Sequence, residues 1–408
     1  SERSEETLCI ILARRSGMST SKQRVSHKVS TFTESVIREM TRLALDHNAI
    51  NLAQGFPNFP APQSIKDAAC RAIQDDINQY AITWGEPGFR AAIAEKYQIF
   101  YGWEIDPNRE ITVACGSTES MISSILGLVD PEDRILVFEP FYENYGPDAV
   151  IAGASPVYVS LDPDQNWAFD FHQLEERIRD SQIRALILNS PNNPSGKVFN
   201  REELAKISEL AQEYDFYVIT DEIYEHIVYP GASHLPIALF PGMRDRTITI
   251  SGLSKTFSIT GWRVGYIIAP PDLTDAIRKI HDFLTVGAAA PLQEAGSLAM
   301  RMGKEYYQQL ASDYQQRRDY FVKVLQEVGF KVWIPSGAYY VMVDISPLTE
   351  LDDVTFVDQL IRDYGVAAVP GSSFFHRPEL GRKFIRFAVC KTLEVLEEAA
   401  ERLRKLKR

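Results

Sequence analysis

Short β-branched or apolar runs alternate with amphipathic helical stretches over most of this chain, between about residues 62 and 301. This alternation is typical of a parallel sheet with helices on its faces, because a crossover between parallel strands usually contains a helix. We predict a mostly parallel, doubly wound seven-stranded sheet, and therefore an α/β fold. The predicted strands are Ile111–Ala114, Arg134–Phe138, Pro156–Ser160, Ala185–Leu188, Phe216–Thr220, Thr247–Ile250 and Val264–Ile268.

The pattern changes after Pro291, which predicts a second domain. A long helical region over residues 292–328 is followed by strands such as Tyr339–Val343 and Phe384–Ala388, and then by a charged helix. With 408 residues, the chain is longer than one typical domain. We expect residues 62–301 to form a large cofactor-binding domain and residues 302–408 a smaller α+β domain. Residues 18–61 are expected to form an N-terminal arm and part of the smaller domain.

Charge, cysteine spacing and the N-terminal segment restrict the possible partners. The net charge of -12 argues against nucleic acid or an anionic membrane as the main partner. The four cysteines are widely spaced, without a C-x-x-C pair, and no histidine pair has ligand spacing, so we expect a reducing compartment and no metal. Residues 1–17 match neither a signal peptide nor a membrane span and are interpreted as a leader or tag. We expect a cytoplasmic protein.

Lys255 lies in the run SGLSKTFSITGWRVG, directly after the predicted strand Thr247–Ile250. A lysine at the end of a buried strand, beside small hydroxyl residues and eight positions before Arg263, has the arrangement expected of an amine that forms a Schiff base. A surface lysine in an ordinary loop is the alternative. Few loop lysines, however, follow an apolar strand and precede a Gly-Trp-Arg turn.

Polar residues also follow the other predicted strands, where open α/β sheets bind their ligands. Gly116, Ser117 and Thr118 precede a helix whose N-terminus can bind a phosphate, although they also suit an ordinary helix cap. Asp221 ends an apolar strand, so it needs a cationic partner unless it caps the next helix. Arg386 lies within an apolar strand and needs an anion, either a ligand or a structural salt bridge.

The lysine run resembles that of class I (fold type I) pyridoxal-phosphate aminotransferases, and the similarity extends from about residue 35 to the C-terminus. The segments NLAQGFPNFP, PNNPSGKVF and FIRFAVCK are most similar to the kynurenine aminotransferase and glutamine transaminase K group. The resemblance implies a fold type I enzyme that moves the amino group of an L-amino acid to a 2-oxo acid, expected to be 2-oxoglutarate. It also implies ping-pong kinetics through a lysine Schiff base.

The resemblance assigns a role to each matching residue. Lys255 is expected to form the Schiff base and to act as the catalytic base. The cofactor ring would contact Tyr142, Asn193, Asp221 and Tyr224. The phosphate would contact Gly116, Ser117, Thr118, Ser251, Arg263 and, from the neighbouring subunit of a homodimer, Tyr80. The substrate carboxylate would contact Gly55, Asn193 and Arg386.

Three positions depart from the family pattern. Gly252 stands where many relatives have a phosphate-binding serine, so Ser251 or Ser254 is expected to supply that contact. Ile37 replaces an aromatic residue of the substrate pocket, which argues against a preference for kynurenine. Phe375 is expected to change the shape of the pocket.

Other functions are consistent with parts of the sequence. A β-eliminating C–S lyase would use the same cofactor to release pyruvate and ammonia from cysteine conjugates without an oxo-acid acceptor. A regulator built on this fold would carry an added DNA-binding domain, for which the acidic chain has no room. A nicotinamide-dependent dehydrogenase would need a G-x-G-x-x-G run after a strand, and none is present. Transamination is the prediction, with the lyase as its alternative.

Overall fold

The computed structural model describes residues 26–30, 32 and 34–407. The elements named below belong to the compact unit that begins at Glu34. The predicted leader over residues 1–17 lies outside the described residues. The strands are β1 Ile50–Asn51, β2 Ile111–Ala114, β3 Arg134–Glu139, β4 Ser155–Ser160, β5 Ala185–Asn189, β6 Tyr217–Asp221, β7 Thr247–Gly252, β8 Gly265–Ile268, β9 Lys331–Val332, β10 Tyr340–Asp344, β11 Val366–Ala367, β12 Val369–Pro370 and β13 Phe384–Ala388.

Helices occupy most of the intervening segments, and several begin at a residue that suits a helix start. Asn200, for example, forms a capping box with Glu203. The α-helices are α1 Val36–Asp46, α2 Gln63–Gln74, α3 Pro87–Tyr101, α4 Gly116–Leu128, α5 Tyr145–Ile151, α6 Phe171–Ser181, α7 Arg201–Glu213, α8 Pro271–Thr285, α9 Ala290–Met300, α10 Lys304–Val328, α11 Asp353–Tyr364 and α12 Leu393–Leu403.

Strands β2 to β8 form one seven-stranded sheet in the order β2-β8-β7-β6-β5-β3-β4. All neighbours pair in parallel except β8, which runs antiparallel to both β2 and β7. Its inner strands β5, β6 and β7 are buried at almost every position, as expected for a sheet covered on both faces. The prediction of a mostly parallel, seven-stranded α/β sheet is confirmed.

Two smaller sheets come from the rest of the chain. Strands β12, β13, β10 and β9 form an antiparallel sheet, and β1 pairs in parallel with β11. Helix α1 packs against this C-terminal region through Ile37, Met40 and Ala44. The N-terminal arm therefore contacts the C-terminal elements, while the domain boundaries at residues 61 and 301 stay predictions.

The predicted helical region over residues 292–328 consists of two helices, α9 and α10. The break lies at residues 301–303, where Gly303 adopts an extended conformation and caps α10. Glycine tolerates such a break at little cost, since it favours the helix interior less than any residue except proline. In the described part of the chain, none of the helices has both the length and the apolar character needed to cross a membrane.

Register in the large sheet positions the functional residues. Asn189 lies opposite Asp221, and Asp221 lies opposite Ile250, so the ends of β5, β6 and β7 are level with one another. Because the carboxyl ends of parallel strands meet at one edge of a sheet, the segments that follow these strands converge there.

Candidate active site

A cleft of about 820 Å³ lies at this edge of the large sheet, beside the N-terminus of α4. Most of the site residues predicted from the sequence line it. They are Gly55, Ser117, Thr118, Tyr142, Asn193, Asp221, Tyr224, Lys255 and Arg263. Another cleft, of about 670 Å³ beside the edge strand β4, contains none of the predicted residues.

Lys255 follows β7 and points into the cleft, where its Nζ donates a hydrogen bond to the carbonyl oxygen of Gly55 at 3.1 Å. Burial lowers the pKa of Lys255 to about 8, and the positive charges of Arg263 and Arg386 act in the same direction. At neutral pH much more of this amine is therefore unprotonated than in an ordinary lysine, and the unprotonated form is the one that acts as a nucleophile or base.

Asp221 is the buried carboxylate of the cleft. It accepts hydrogen bonds from the hydroxyl of Tyr145 at 2.8 Å and from the backbone N–H of Ile223 at 3.2 Å. Among the described residues, no lysine, arginine or histidine forms an ion pair with it. Burial therefore raises the pKa of Asp221 to about 6, although both hydrogen bonds and the charge of Lys255 oppose the rise. A cation bound in the cleft would remove this penalty.

Gly116, Thr118 and Arg263 form a cradle for an anion at the N-terminus of α4. Gly116 has a φ of 82°, and a Cβ there would come within 2.5 Å of the Arg263 guanidinium. Only glycine allows both this conformation and this close approach. Nη2 of Arg263 lies 3.4 Å from the hydroxyl of Thr118. A guanidinium, hydroxyl groups and the free N–H groups of a helix end suit a phosphate.

Arg386 is completely buried in the strand β13, immediately behind the lining of the cleft. Its Nη1 donates to Oδ1 of Asn193 at 2.7 Å and its Nη2 to the carbonyl oxygen of Ala53 at 2.5 Å. Its Nε has no hydrogen-bond partner. Within the described residues no Asp or Glu pairs with it, so the structural salt bridge considered above is not found there. A buried guanidinium without an anionic partner is costly, so its surroundings suit a ligand anion.

Ser251 is not brought into the cleft, contrary to the sequence-based expectation. Its side chain is buried and donates to Oε1 of Glu225 at 2.9 Å, away from the cradle. The reason is that β7 continues to Gly252, which places Ser251 inside the strand with its side chain on the face toward Glu225. Ser254, the other residue expected to supply this contact, does line the cleft.

Of the remaining residues singled out in the sequence, some line the cleft and others lie outside it. Ile37 lines the cleft, whereas Phe375 does not, because it packs against Phe384 with ring centroids 6.3 Å apart. The neighbouring Phe374 instead lies 4.9 Å from the guanidinium of Arg386. Tyr80 lies outside the cleft and is 88% exposed, as a residue that acts in a neighbouring subunit would be.

Several lining residues were missed by the sequence analysis. Tyr145, which contacts Asp221, lies three positions after Tyr142 in the run FYENY, a spacing that places both side chains near one face of a turn. Tyr340 had no sequence signal, since it comes from β10, far along the chain. Its hydroxyl lies 3.0 Å from that of Tyr224, and a Cβ at Gly55 would collide with it.

These groups fit pyridoxal phosphate. The cradle suits a phosphate, the unpaired carboxylate of Asp221 suits a protonated pyridine nitrogen, and the amine of Lys255 suits a Schiff base with an aldehyde. Asn193, Tyr224 and Tyr142 line the same cleft and supply an amide, a hydroxyl and an aromatic ring.

Comparison with known proteins agrees with this chemistry. The model of the family "Aminotransferase class I and II" matches residues 47–403. The chain is 38% identical to the probable N-succinyldiaminopimelate aminotransferase DapC of Mycobacterium tuberculosis, covering 92% of this chain and 97% of that protein. It is 36% identical to human kynurenine–oxoglutarate transaminase 1, covering 90% of this chain and 95% of that protein. The solved structure of the Mycobacterium tuberculosis N-succinyldiaminopimelate aminotransferase superposes with a TM-score of 0.91 over 94% of this chain and 100% of that one, at 38% identity.

Proposed function

The chain belongs to the class I and II aminotransferases and is a pyridoxal-phosphate-dependent transaminase, and we propose that it moves the amino group of L-amino acids with uncharged side chains to 2-oxoglutarate. Ile37, Phe56 and Tyr340 supply an apolar wall of the cleft for such a side chain. Arg38, also in the lining, is available for the distal carboxylate of 2-oxoglutarate. The relatives' names favour transamination over the β-eliminating lyase.

The residues proposed to hold the cofactor divide by the part of it that each would contact. For the phosphate they are Gly116, Ser117, Thr118, Ser254 and Arg263. For the ring they are Tyr142, Asn193, Asp221 and Tyr224. When bound, the cofactor supplies an electron sink that stabilises negative charge developing at the substrate Cα. A negatively charged Asp221 favours the protonated ring nitrogen on which that property depends.

Lys255 is proposed to be both the covalent anchor and the catalytic base. Its lowered pKa leaves a useful fraction of free amine near neutral pH. Once the substrate amine has replaced it, its Nζ is free to remove the proton from the substrate Cα. The neighbouring carbonyl of Gly55 and the rings of Tyr224 and Tyr339, about 6 Å away, hold the amine within the cleft.

The observation that carries the proposal is the buried guanidinium of Arg386, which has no acidic partner in the described part of the chain. It contacts Asn193, which lines the cleft, so a substrate α-carboxylate reaching Asn193 would be close to an uncompensated positive charge. Arg386 would then select substrates by their α-carboxylate, whichever side chain they carry. This explains why an amino acid and a 2-oxo acid can use one site in turn.

Two arginine variants test the proposal separately. Arg386→Met should lower kcat/KM for every amino acid and oxo acid by about a hundredfold or more, since losing one partner of a buried charge pair costs about 2–5 kcal/mol. Arg38→Met should lower kcat/KM about fivefold for 2-oxoglutarate but leave pyruvate unaffected, because the exposed contact is worth only about 1 kcal/mol.

Further measurements test the role of Lys255 and the identity of the amino-group acceptor. Lys255→Ala should lower turnover by on the order of 10⁴-fold, while the exposed Lys304→Ala should have no effect. If Arg386→Met retained full activity with L-amino acids, the carboxylate assignment would be wrong. If wild-type enzyme used pyruvate but not 2-oxoglutarate, the proposed acceptor would be wrong.

We also propose a cytoplasmic homodimer. Tyr80, Phe283 and Val286 are strongly exposed for residues of their size, and Tyr80 borders a groove with residues 286–291. Covering this surface with a second copy would bury it and bring the partner's Tyr80 toward a phosphate. Cys70, Cys115 and Cys390 are all free thiols, which suits a reducing compartment. Equilibrium sedimentation showing a monomer would contradict the dimer.

A further inference from the structure

His281 links three segments around the anion cradle. It lies in α8, is fully buried, and its Nε2 is 2.8 Å from the carbonyl oxygen of Thr83. Its Nδ1 is 3.1 and 3.2 Å from the two carboxylate oxygens of Glu119, which belongs to the first turn of α4. One imidazole ring therefore joins α8, the N-terminus of α4 and the loop that carries Thr83.

The contacts of this ring define its charge. A carbonyl oxygen only accepts hydrogen bonds, so Nε2 must carry a proton toward Thr83. Glu119 accepts from the backbone N–H of Cys115 at 3.0 Å and from the hydroxyl of Ser123. Nδ1 faces both carboxylate oxygens of Glu119, and the hydroxyl of Thr285 lies 3.3 Å from it. This arrangement suits an imidazolium that faces a carboxylate.

Glu119 places a negative charge beside the anion cradle, which is unexpected for a phosphate site. It lines the same cleft as Ser117 and Thr118, so its negative charge lies beside the site proposed for a dianionic phosphate. At such short range in a partly buried site, like charges repel appreciably. The adjacent imidazolium compensates that charge without occupying the cradle.

His281 also stabilises a loop with a proposed role in the partner's site. Thr83 lies three residues after Tyr80, which is exposed and proposed to reach the phosphate of the neighbouring subunit. The hydrogen bond from Nε2 fixes the backbone of this loop relative to α8. One residue thus contacts both Glu119, beside the cradle of its own subunit, and the segment that would complete the other cradle.

We propose that His281 is a positioning residue for the cofactor phosphate, acting as an imidazolium that neutralises Glu119 and orders the loop carrying Tyr80. The inference depends on the proposed assignment of Gly116, Ser117, Thr118 and Arg263 to the phosphate. It predicts that His281 affects the binding of phosphorylated ligands and has little effect on that of unphosphorylated ones.

Several titratable groups face His281. Burial by itself lowers the pKa of His281, but the hydrogen bond and charge of Glu119, the carbonyl of Thr83 and the charge of Asp282 raise it, and the net shift is upward. The thiol of Cys115 and the guanidinium of Arg263 lie near Glu119 on the cleft side. Because the folded-state pKa of His281 is raised above its ordinary value of 6.5, its compensating charge is present below that ordinary value and is lost as the pH rises through the raised pKa.

Cofactor binding to the apoenzyme tests the proposal independently of turnover. We would measure dissociation constants for pyridoxal 5'-phosphate and for pyridoxal, which lacks the phosphate. His281→Gln should weaken pyridoxal 5'-phosphate about tenfold, corresponding to one uncompensated charge, and leave pyridoxal unchanged. The double variant Glu119→Gln with His281→Gln should bind pyridoxal 5'-phosphate more tightly than His281→Gln alone, since no charge is left to compensate, and any remaining loss relative to Glu119→Gln would come from the loop that carries Tyr80.

A second measurement does not require a His281 variant. In wild-type protein, the preference for pyridoxal 5'-phosphate over pyridoxal should decline as the pH rises through the pKa of His281, beyond the decline seen in Glu119→Gln. The proposal would be overturned if His281→Gln weakened the binding of both ligands equally, or if the double variant bound pyridoxal 5'-phosphate no more tightly than His281→Gln alone. It would also be overturned if the ligand preference of wild type and of Glu119→Gln had the same pH dependence. If wild-type protein bound both ligands equally, the assignment of the cradle itself would be wrong.

Discussion

Two buried carboxylates at the end of β6, Asp221 and Glu225, differ in how their charge is compensated. Asp221 lines the cleft and has only neutral hydrogen-bond donors as direct partners, and burial raises its pKa to about 6. Glu225, four residues later, lies 2.5 Å from Nζ of Lys96. Burial alone would raise the pKa of Glu225, but the charge of Lys96 outweighs it and holds that pKa well below its ordinary value.

The surroundings of Glu225 form what we call the Lys96 cluster, consisting of Lys96, Tyr101, Glu225, Ser251 and Tyr266. Every member contacts Glu225, and Lys96 supplies its counter-charge. His234, Glu222 and Glu225 also bring potential metal ligands within 4.8 Å of one another, but Lys96 already neutralises Glu225. In the cleft, by contrast, neither Asp221 nor Arg386 forms an ion pair within the described residues, and the more distant charge of Lys255 offsets only part of the effect of burial on Asp221. The fold leaves charge uncompensated where a ligand is expected to bind.

The largest expected effect comes from breaking the pair in the Lys96 cluster. Lys96→Met should lower the free energy of unfolding of the apoenzyme by about 3–5 kcal/mol at pH 7, because it leaves Glu225 buried and unpaired. Urea denaturation would measure the change. kcat should stay near the wild-type value at temperatures where the variant is folded, since Lys96 does not line the cleft.

The double variant Lys96→Met with Glu225→Gln is the matched control for this prediction. It should recover part of the lost stability, because a neutral amide is less costly to bury than a carboxylate. A double variant less stable than Lys96→Met alone would show that hydrogen bonding within the cluster matters more than its charge.

Removing the charge of the carboxylate in the cleft, Asp221, is expected to raise the stability of the apoenzyme instead of lowering it. Asp221 has a folded-state pKa of about 6 against an ordinary value of 3.8, so the folded apoenzyme binds its proton more tightly than the unfolded chain does. Stability therefore falls as the pH rises from about 4 to about 6, by about 3 kcal/mol in total. Asp221→Asn should remove this loss and stabilise the apoenzyme at pH 7, while abolishing transamination.

Thermal unfolding of the apoenzyme between pH 4 and pH 8 would compare Asp221→Asn with Glu225→Gln. The gain in stability of Asp221→Asn over wild type should grow from about pH 4 and reach its full size above about pH 6, whereas Glu225→Gln should be less stable than wild type throughout this range. If both lost stability at pH 7, then Asp221 would be compensated within the protein, and the contrast between the two carboxylates would not hold.

A smaller effect is expected from Tyr145. Tyr145→Phe removes the hydroxyl that donates to Asp221, and a hydrogen bond to a charged group is worth about 1.5 kcal/mol or slightly more. The pKa of Asp221 should rise by about one unit further, so the acidic limb of the pH profile of kcat should move to higher pH by about as much. Tyr158→Phe, which alters a tyrosine without a contact to Asp221, is the control. An unchanged pH profile in Tyr145→Phe would argue that Asp221 is held ionised by the cofactor alone.

Most of the large sheet could be predicted from the sequence. The predicted strands agree with those observed within about two residues, and Ile111–Ala114 agrees at both ends. These predictions succeed because a buried strand is a local pattern of β-branched and apolar residues. The break between α9 and α10 was missed, since its signal is a single glycine within a helical pattern.

The site was predicted less completely, because its details depend on the orientation of side chains. Ser251 has the right residue type at the right strand end, but the pleat of β7 directs it to Glu225. Tyr340 and Glu119 were missed because their roles depend on partners far away in sequence, at Tyr224 and His281. Nothing in the spacing along the chain indicates such pairs.

The sequence by itself determined the fold class, the family and the types of residue available for chemistry, because periodicity and motifs are properties of short segments. Only the tertiary structure decided which charges are compensated. The pairing of Lys96 with Glu225, the contact of Arg386 with Asn193 and the isolation of Asp221 each join or separate residues from different elements. The cost of a buried charge depends on the groups within a few ångströms of it, and folding alone brings those groups together.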